Sequence, residues 1–285
     1  MRAMPRLAVV GTFFAVLVVA ALRPLAQSGD RPFPPHRIVG NIYYVGSKSL
    51  ASYLITGASG HVLVNSSLEE TVPLIRAGVE KLGFRFEDIK ILLTSHAHSD
   101  HVAGSALVRR LTGARVLVME GDDDIVRTGG KGDFNYDARW APCPVDRVLH
   151  DKDEVKLGEA VLVAHLTPGH TKGCTTWTLA AKDGGKTYQV VIVGSPNVNE
   201  GYRLVGNAKY PAIAEDFGRT FQILKALPCD VFLGAHGSYY GMEEKFERIE
   251  KNGGNPFVDP DGYRRFVELK DKEFLDKLAR QKRSE

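Results

Sequence analysis

Cysteine is scarce in this chain of 285 residues: three occur, Cys143, Cys174 and Cys229. An odd number allows one disulfide at most, which excludes a disulfide-built scaffold. No Cys-x-x-Cys pair exists to form a thiolate zinc knuckle. The expectation is free, partly buried thiols. No cysteine precedes Cys143, which argues against a lipid-anchored N-terminus. A net charge field is also missing. The formal +3 comes from Arg2, Arg6 and Arg23, all ahead of the first acidic residue, Asp30. Without those three, basic residues equal the 34 acidic ones in number. A near-neutral mature chain offers no basic field for nucleic acid. No Pro/Gly/Ser linker and no short repeat divides the chain, and 44% hydrophobic content suffices for one sizeable core.

The N-terminus reads as a targeting segment. Arg2 and Arg6 precede an uncharged apolar stretch from Leu7 to Leu22, followed by Arg23 and Pro24. That is a positive region followed by a hydrophobic one, as in a secretory signal. The stretch falls slightly short of the roughly 20 residues an anchoring helix needs. Small residues at Val19-Ala20-Ala21 or Leu25-Ala26-Gln27 offer cleavage sites. Residues 1–26 are therefore expected to be a cleaved signal peptide and 27–285 a single domain, periplasmic and free of the membrane.

Beyond a Pro- and Arg-rich arm (27–37), apolar runs at Ile42–Val45, Ser52–Ile55 and His61–Asn65 predict a meander of strands punctuated by Gly57 and Gly60. Ser67 and Glu70 resemble a capping box. Val72, Ile75, Val79 and Leu82 carry helical spacing up to Gly83. A β-α-β pattern follows: strand Ile89–Leu93, helix Val102–Leu111, strand Arg115–Val118. Residues 129–140 form a glycine- and aromatic-containing loop. Strands are expected at 154–156, 160–166, 175–180 and 188–193, the last two joined by the hairpin signal Asp183-Gly184-Gly185. A helix near 213–227, a strand at 231–233 and two charged amphipathic helices, 242–251 and 263–282, complete the chain. Two packed sheets covered outside by helices would bury the apolar faces of both.

The chemistry concentrates in Ser95-His96-Ala97-His98-Ser99-Asp100-His101, directly after the apolar run Ile89–Leu93. In extended backbone, positions two apart point the same way, so His96 and His98 can reach one ion together. Asp100 and His101, adjacent at an expected helix start, can turn towards a second. Imidazoles with one carboxylate suit zinc better than magnesium or calcium, which prefer oxygen. Two further histidines share a strand-end setting: His170 in Leu166-Thr167-Pro168-Gly169-His170, and His236 in Phe232-Leu233-Gly234-Ala235-His236. His36, His61 and His150 lack that setting and read as surface residues; His165 reads as a strand residue.

These motifs resemble the metallo-β-lactamase superfamily, and within it subclass B3. The family pattern of His-x-His-x-Asp-His, a later Gly-His and a final histidine after a strand matches His96, His98, Asp100, His101, His170 and His236. The stretches 167–177 and 210–216 look especially like the subclass. The resemblance runs from about Pro34 to the last helix. It implies an α+β fold, an αββα sandwich of two mixed β-sheets flanked by helices. It also implies zinc-dependent hydrolysis of β-lactam antibiotics, carbapenems among them, and hence antibiotic resistance by a class B enzyme. The implied cofactors are two Zn2+ ions, the first held by His96, His98 and His170, the second by Asp100, His101 and His236. Asp100 would also orient the attacking hydroxide.

The superfamily also contains lactonases, nucleases and glyoxalase II-like thioesterases, and a lactonase or thioesterase is the alternative reading. Those hydrolases carry a metal-bridging Asp in a Gly-Asp after the strand that follows the third histidine. Here that strand ends in Gly194-Ser195, as in subclass B3. Serine acyl-enzyme chemistry lacks its Ser-x-x-Lys and Lys-Thr-Gly motifs altogether. Ser195 and Asn197 are candidate contacts for the substrate carboxylate. The family commonly has a small hydroxyl residue at the latter position, and a loop-capping role for Asn197 is the alternative. Phe134 and Tyr136, in 129–136, either touch substrate from a lid or belong to an ordinary surface loop. Subclass members often join a cysteine matching Cys229 to one near the C-terminal helix; no cysteine follows Cys229, so that bridge cannot form. The expected partner is a small-molecule β-lactam, and the expected state a monomer.

Overall fold

The computed structural model describes residues 30–284 except 250, 252 and 253. The expected signal peptide lies outside the described residues. No described helix is long and apolar enough to cross a membrane.

Two sheets face each other. The first has seven strands in sequential order: β1 (His36–Val39), β2 (Ile42–Tyr44), β3 (Tyr53–Ile55), β4 (His61–Val64), β5 (Ile89–Leu93), β6 (Arg115–Met119) and β7 (Arg147–Leu149). Its first four strands form an antiparallel meander, and β4 to β7 run parallel. The second sheet contains β8 (Glu154–Leu157), β9 (Ala160–Leu166), β10 (Thr175–Asp183), β11 (Lys186–Val193) and β12 (Val231–Gly234), antiparallel except for the parallel β11–β12 pair.

The apolar runs of the first sheet are continuous because both of its faces are covered. Val62, Val64, Ile91, Leu93, Leu117 and Met119 face the second sheet, around Trp177 and Tyr53. Their neighbours Leu63, Leu92, Val116 and Val118 face the opposite way. There they meet Val72, Ile75 and Val79 of α1 (Val72–Lys81) and Val108 of α3 (Ser105–Thr112). The outer face of the second sheet is covered by α5 (Ile213–Ala226) and α7 (Pro260–Ser284), which meet through stacked Phe217, Phe221 and Phe274. The result is the αββα sandwich. The β10–β11 hairpin turns on Gly184 and Gly185, both at positive φ (54° and 79°), the backbone that a two-residue hairpin loop requires.

Several elements differ from the sequence reading. The expected helix 102–111 is two helices, α2 (Ser99–Val102) and α3, because Gly104 donates its N–H to the Ser67 carbonyl (2.9 Å) instead of continuing the first. A Cβ there would lie 2.5 Å from the Ser66 oxygen. The Ser67–Glu70 capping box does not form: Ser67 takes a left-handed φ of 59° and accepts the Thr71 hydroxyl at 2.9 Å. Strands β1 and β7 and helix α4 (Asp123–Thr128) are additional, while α6 (Met242–Glu247) is shorter and α7 longer than expected. His36 and His61 are buried, not surface residues. His36 stacks between Tyr44 and Phe257, and His61 meets the edge of Phe84. His165 lies in β9 as expected, and all three cysteines are free.

Candidate metal centre

The site forms at the carboxyl ends of β5, β9 and β12, where loops of both sheets converge. After β5 the chain stays extended through His98 (φ −101°, ψ 154°), which precedes α2. Cross-sheet hydrogen bonds hold this segment: the Trp177 indole N–H donates to the Thr94 carbonyl (3.0 Å) and the Thr175 N–H to the Ser95 carbonyl (2.7 Å). The Ser95 N–H donates to Asn65 Oδ1 (2.8 Å), and the Ala97 N–H to Asp122 Oδ2 (2.7 Å). Extended backbone then places His96 and His98 side by side, ring centroids 4.9 Å apart. The turn into α2 swings Asp100 and His101 to the next position along.

His170 follows Gly169, whose φ of 125° suits glycine alone and whose missing Cβ lets the loop lie on the Phe217 ring. The His170 ring comes within 4.6 Å of His96 and 4.7 Å of His98. Its Nδ1–H donates to the Asn197 carbonyl at 2.7 Å, which leaves Nε2 as the free lone pair. His236, two residues past β12, brings Nε2 within 3.3 Å of His101 Nε2 and 3.7 Å of Asp100 Oδ2, while His101 Nε2 lies 3.1 Å from that same oxygen. Two triads thus stand next to each other, His96/His98/His170 and Asp100/His101/His236. They are close enough that His96 also groups with Asp100 and His101.

Burial first, and then the neighbouring imidazoles, hold His96 well below its ordinary value. The same two causes hold His170 down against its Asn197 hydrogen bond. Desolvation pushes the buried His98 and the partly buried His236 down to about 4. Burial alone would raise the Asp100 carboxyl, but His101, His236 and His98 together bring it well below the carboxylate range. Neutral imidazole lone pairs and one ionised carboxylate form a donor set suited to a borderline-soft dication such as zinc. His98 Nε2 has no hydrogen bond and lies 4.0 Å from Asp133 Oδ2. The residues therefore fit the metal.

A cavity of about 250 Å³ opens over both triads. Tyr136 borders it, 4.9 Å from His98, and Asn197 is among the lining residues. Ser195 is buried, its hydroxyl 3.1 Å from the Tyr239 hydroxyl that also accepts the Asn197 amide, and is not among the lining residues. Phe134 is also set back from the cavity, packed at 5.1 Å on both Tyr202 and Tyr210. Sequence reasoning missed Asp133, Trp140, Asn199 and Tyr239 in the lining, and Asp122 behind it. Burial pushes the Asp122 carboxyl up to about 6 against hydrogen bonds from Thr171, Gly173 and Ala97 that lower it. Asp133 and Trp140 carried a signal, since both lie in the glycine-rich 129–140 loop; the others carried none.

The profile of the metallo-beta-lactamase superfamily matches residues 49–183. Among solved structures, the FEZ-1 metallo-beta-lactamase of Legionella gormanii is 50% identical, covers 89% of this chain and 98% of its own, and superposes with a TM-score of 0.88. BJP-1, a subclass B3 metallo-beta-lactamase of Bradyrhizobium japonicum, is 36% identical over 89% and 97% of the two chains, at 0.84. The class B3 di-zinc enzyme LRA-12, from an Alaskan soil metagenome, is 34% identical over 86% and 94%, at 0.83. Curated relatives match more narrowly. The human mitochondrial persulfide dioxygenase ETHE1 is 28% identical over 118 residues, 41% of this chain and 38% of that protein. A hydroxyacylglutathione hydrolase of Cereibacter sphaeroides is 34% identical over 203 residues, 70% and 66% of the two chains. Near-complete coverage by the solved structures, with both triads assembled at one edge of the sandwich, places this chain in the metallo-β-lactamase superfamily, in subclass B3.

Proposed function

We propose that the protein is a dinuclear zinc hydrolase that opens the amide bond of β-lactam antibiotics, carbapenems included, and so confers resistance. The observation that carries the reading is the pair of adjacent triads beneath one cavity, with Ser195, not a carboxylate, at the end of β11. His96, His98 and His170 hold the first ion; Asp100, His101 and His236 hold the second. Zinc bound there supplies a nucleophilic water at neutral pH and a Lewis acid for the lactam carbonyl. The protein supplies position. The Asn197 carbonyl keeps His170 in the tautomer that presents Nε2. Asp100, ionised and facing the cavity, accepts a hydrogen bond from the attacking water and aims it. Asn197, Asn199 and Tyr136 give polar and aromatic contacts along the cavity wall. A signal peptide at residues 1–26 would deliver the enzyme to the periplasm, where it acts as a monomer.

The test is hydrolysis of one penicillin, one cephalosporin and one carbapenem by the purified protein, with and without a chelator, beside a lactone and a glutathione thioester. The thioester is chosen because hydroxyacylglutathione hydrolases are among the relatives. Chelator-sensitive lactam opening is expected. Turnover of the thioester alone would overturn the reading in favour of the alternative hydrolase.

A further inference from the structure

Asp122 is 1% exposed and hydrogen-bonds none of the metal-site imidazoles. Its carboxylate nonetheless reaches the backbone on both sides of the first triad. Oδ2 accepts the Ala97 N–H at 2.7 Å, and Ala97 separates His96 from His98. The same oxygen accepts the Thr171 hydroxyl at 2.7 Å, and Thr171 follows His170. Oδ1 accepts the Gly173 N–H at 2.8 Å. One carboxylate thus joins the loop after β5 to the loop after β9. The close approach is built into the chain: a Cβ on Gly173 would lie 2.6 Å from the Asp122 nitrogen, and one on Gly121, at φ 89°, would lie 3.0 Å from Lys172.

Charge points the same way. The Asp122 carboxylate is held by two backbone N–H groups and one hydroxyl, all neutral donors. The first triad has three imidazoles and no carboxylate of its own, with Asp133 Oδ2 4.0 Å from His98 Nε2, whereas the second contains Asp100. The second triad also has anchors of its own. The Ser66 N–H donates to the His101 carbonyl at 3.0 Å, and the Asn65 amide reaches His101 Nδ1 at 3.4 Å.

We propose that Asp122 is the positioning residue of the first zinc site. It sets the spacing of His96, His98 and His170 through the backbone of Ala97 and Gly173 and the hydroxyl of Thr171, and adds a second buried carboxylate to that of Asp133 near the neutral rings. The proposal rests on the zinc reading of the triads, not on the identity of the substrate.

The test is zinc affinity, measured by chelator competition on the full protein. His170→Ala and His236→Ala assign the two binding steps. Asp122→Asn keeps the shape but removes the charge and turns an N–H2 towards a backbone donor. It is expected to weaken the first step by about 10–100-fold, the range seen when outer-shell partners of ligands are lost, and the second step by less than about threefold. Thr171→Val removes one hydrogen bond and keeps the charge; the first step should weaken by about three- to tenfold. If Asp122→Asn does not fold, Thr171→Val decides alone. An unchanged first step, or equal weakening of both steps, would overturn the proposal by reducing Asp122 to a general packing role. A wild-type protein that takes up no zinc would refute the metal reading itself, an outcome visible before any variant is made.

Discussion

Replacing Tyr53 by Phe probes how the two sheets are held in register above the metal centre. Tyr53 lies on β3 of the first sheet and is fully buried. Its hydroxyl donates to the Gly234 carbonyl on β12 of the second sheet (2.6 Å), accepts the Gly234 N–H (3.2 Å) and meets the Tyr240 hydroxyl (3.1 Å). Phenylalanine preserves the ring, so no cavity opens, but three buried polar groups lose this partner. Each orphaned group costs about 1–3 kcal/mol. Relaxation between Tyr240 and the Gly234 backbone recovers part of that, leaving about 3 kcal/mol. In a domain of this size each kcal/mol moves the melting temperature by about 2 °C, so a decrease of about 6 °C is expected. Zinc-free protein should be melted by calorimetry and by circular dichroism, and unfolded in urea as a check on the slope. A decrease under about 1 °C with an unchanged urea slope would refute the argument that this hydroxyl joins the sheets. Because Gly234 lies two residues before His236, the second zinc step should weaken as well.

Asp100→Ala should lower kcat by more than the 10–100-fold typical of an outer-shell loss while circular dichroism stays native; near-normal turnover would remove Asp100 from the mechanism. Gly169→Ala would force a Cβ within 2.7–2.9 Å of the Phe217 ring at a φ of 125°. The expected destabilisation is about 1–3 kcal/mol, with a weaker first zinc step in chelator competition. Zinc at a hundredfold excess over its dissociation constant should add about 2.7 kcal/mol per site, a rise of about 5 °C that a chelator reverses; no shift would count against bound metal. His165 is pushed down to about 4 by burial and the neighbouring Lys152 ammonium. The folded protein therefore holds fewer protons than the unfolded chain between about pH 4 and 6.5, and the stability present above 6.5 is lost as pH falls through that window. His165→Gln should flatten this acid limb in zinc-saturated melting curves; an identical limb would show that His165 does not titrate there.

The tetrad at 96–101 and the two later histidines were readable because metal ligation constrains local spacing, and each ligand sits just past an apolar strand. Two packed sheets covered by helices were readable from the succession of strand and helix patterns, whereas the αββα sandwich was implied by the family resemblance. Asp122 was invisible because its role depends on partners 25 to 51 residues distant in the chain. The burial of His36 depends on Phe257, from the opposite end of the domain. Phe134 and Tyr136 share a composition signal, yet only Tyr136 faces the cavity. That difference arises from packing on Tyr202 and Tyr210, which no local pattern encodes. The Ser67–Glu70 pair shows the reverse error, a local pattern overridden when Ser67 takes a left-handed backbone.

Each triad draws ligands from both sheets. His96, His98, Asp100 and His101 extend from β5, while His170 and His236 extend from β9 and β12 of the other sheet. With zinc held as proposed, the halves of the sandwich cannot part without breaking coordination bonds at two ions. The barrier to unfolding, and not only the equilibrium, then rises with metal occupancy. The lifetime of the enzyme against proteases should therefore follow the zinc supply of its surroundings: a zinc-starved compartment would clear the protein as well as silence it.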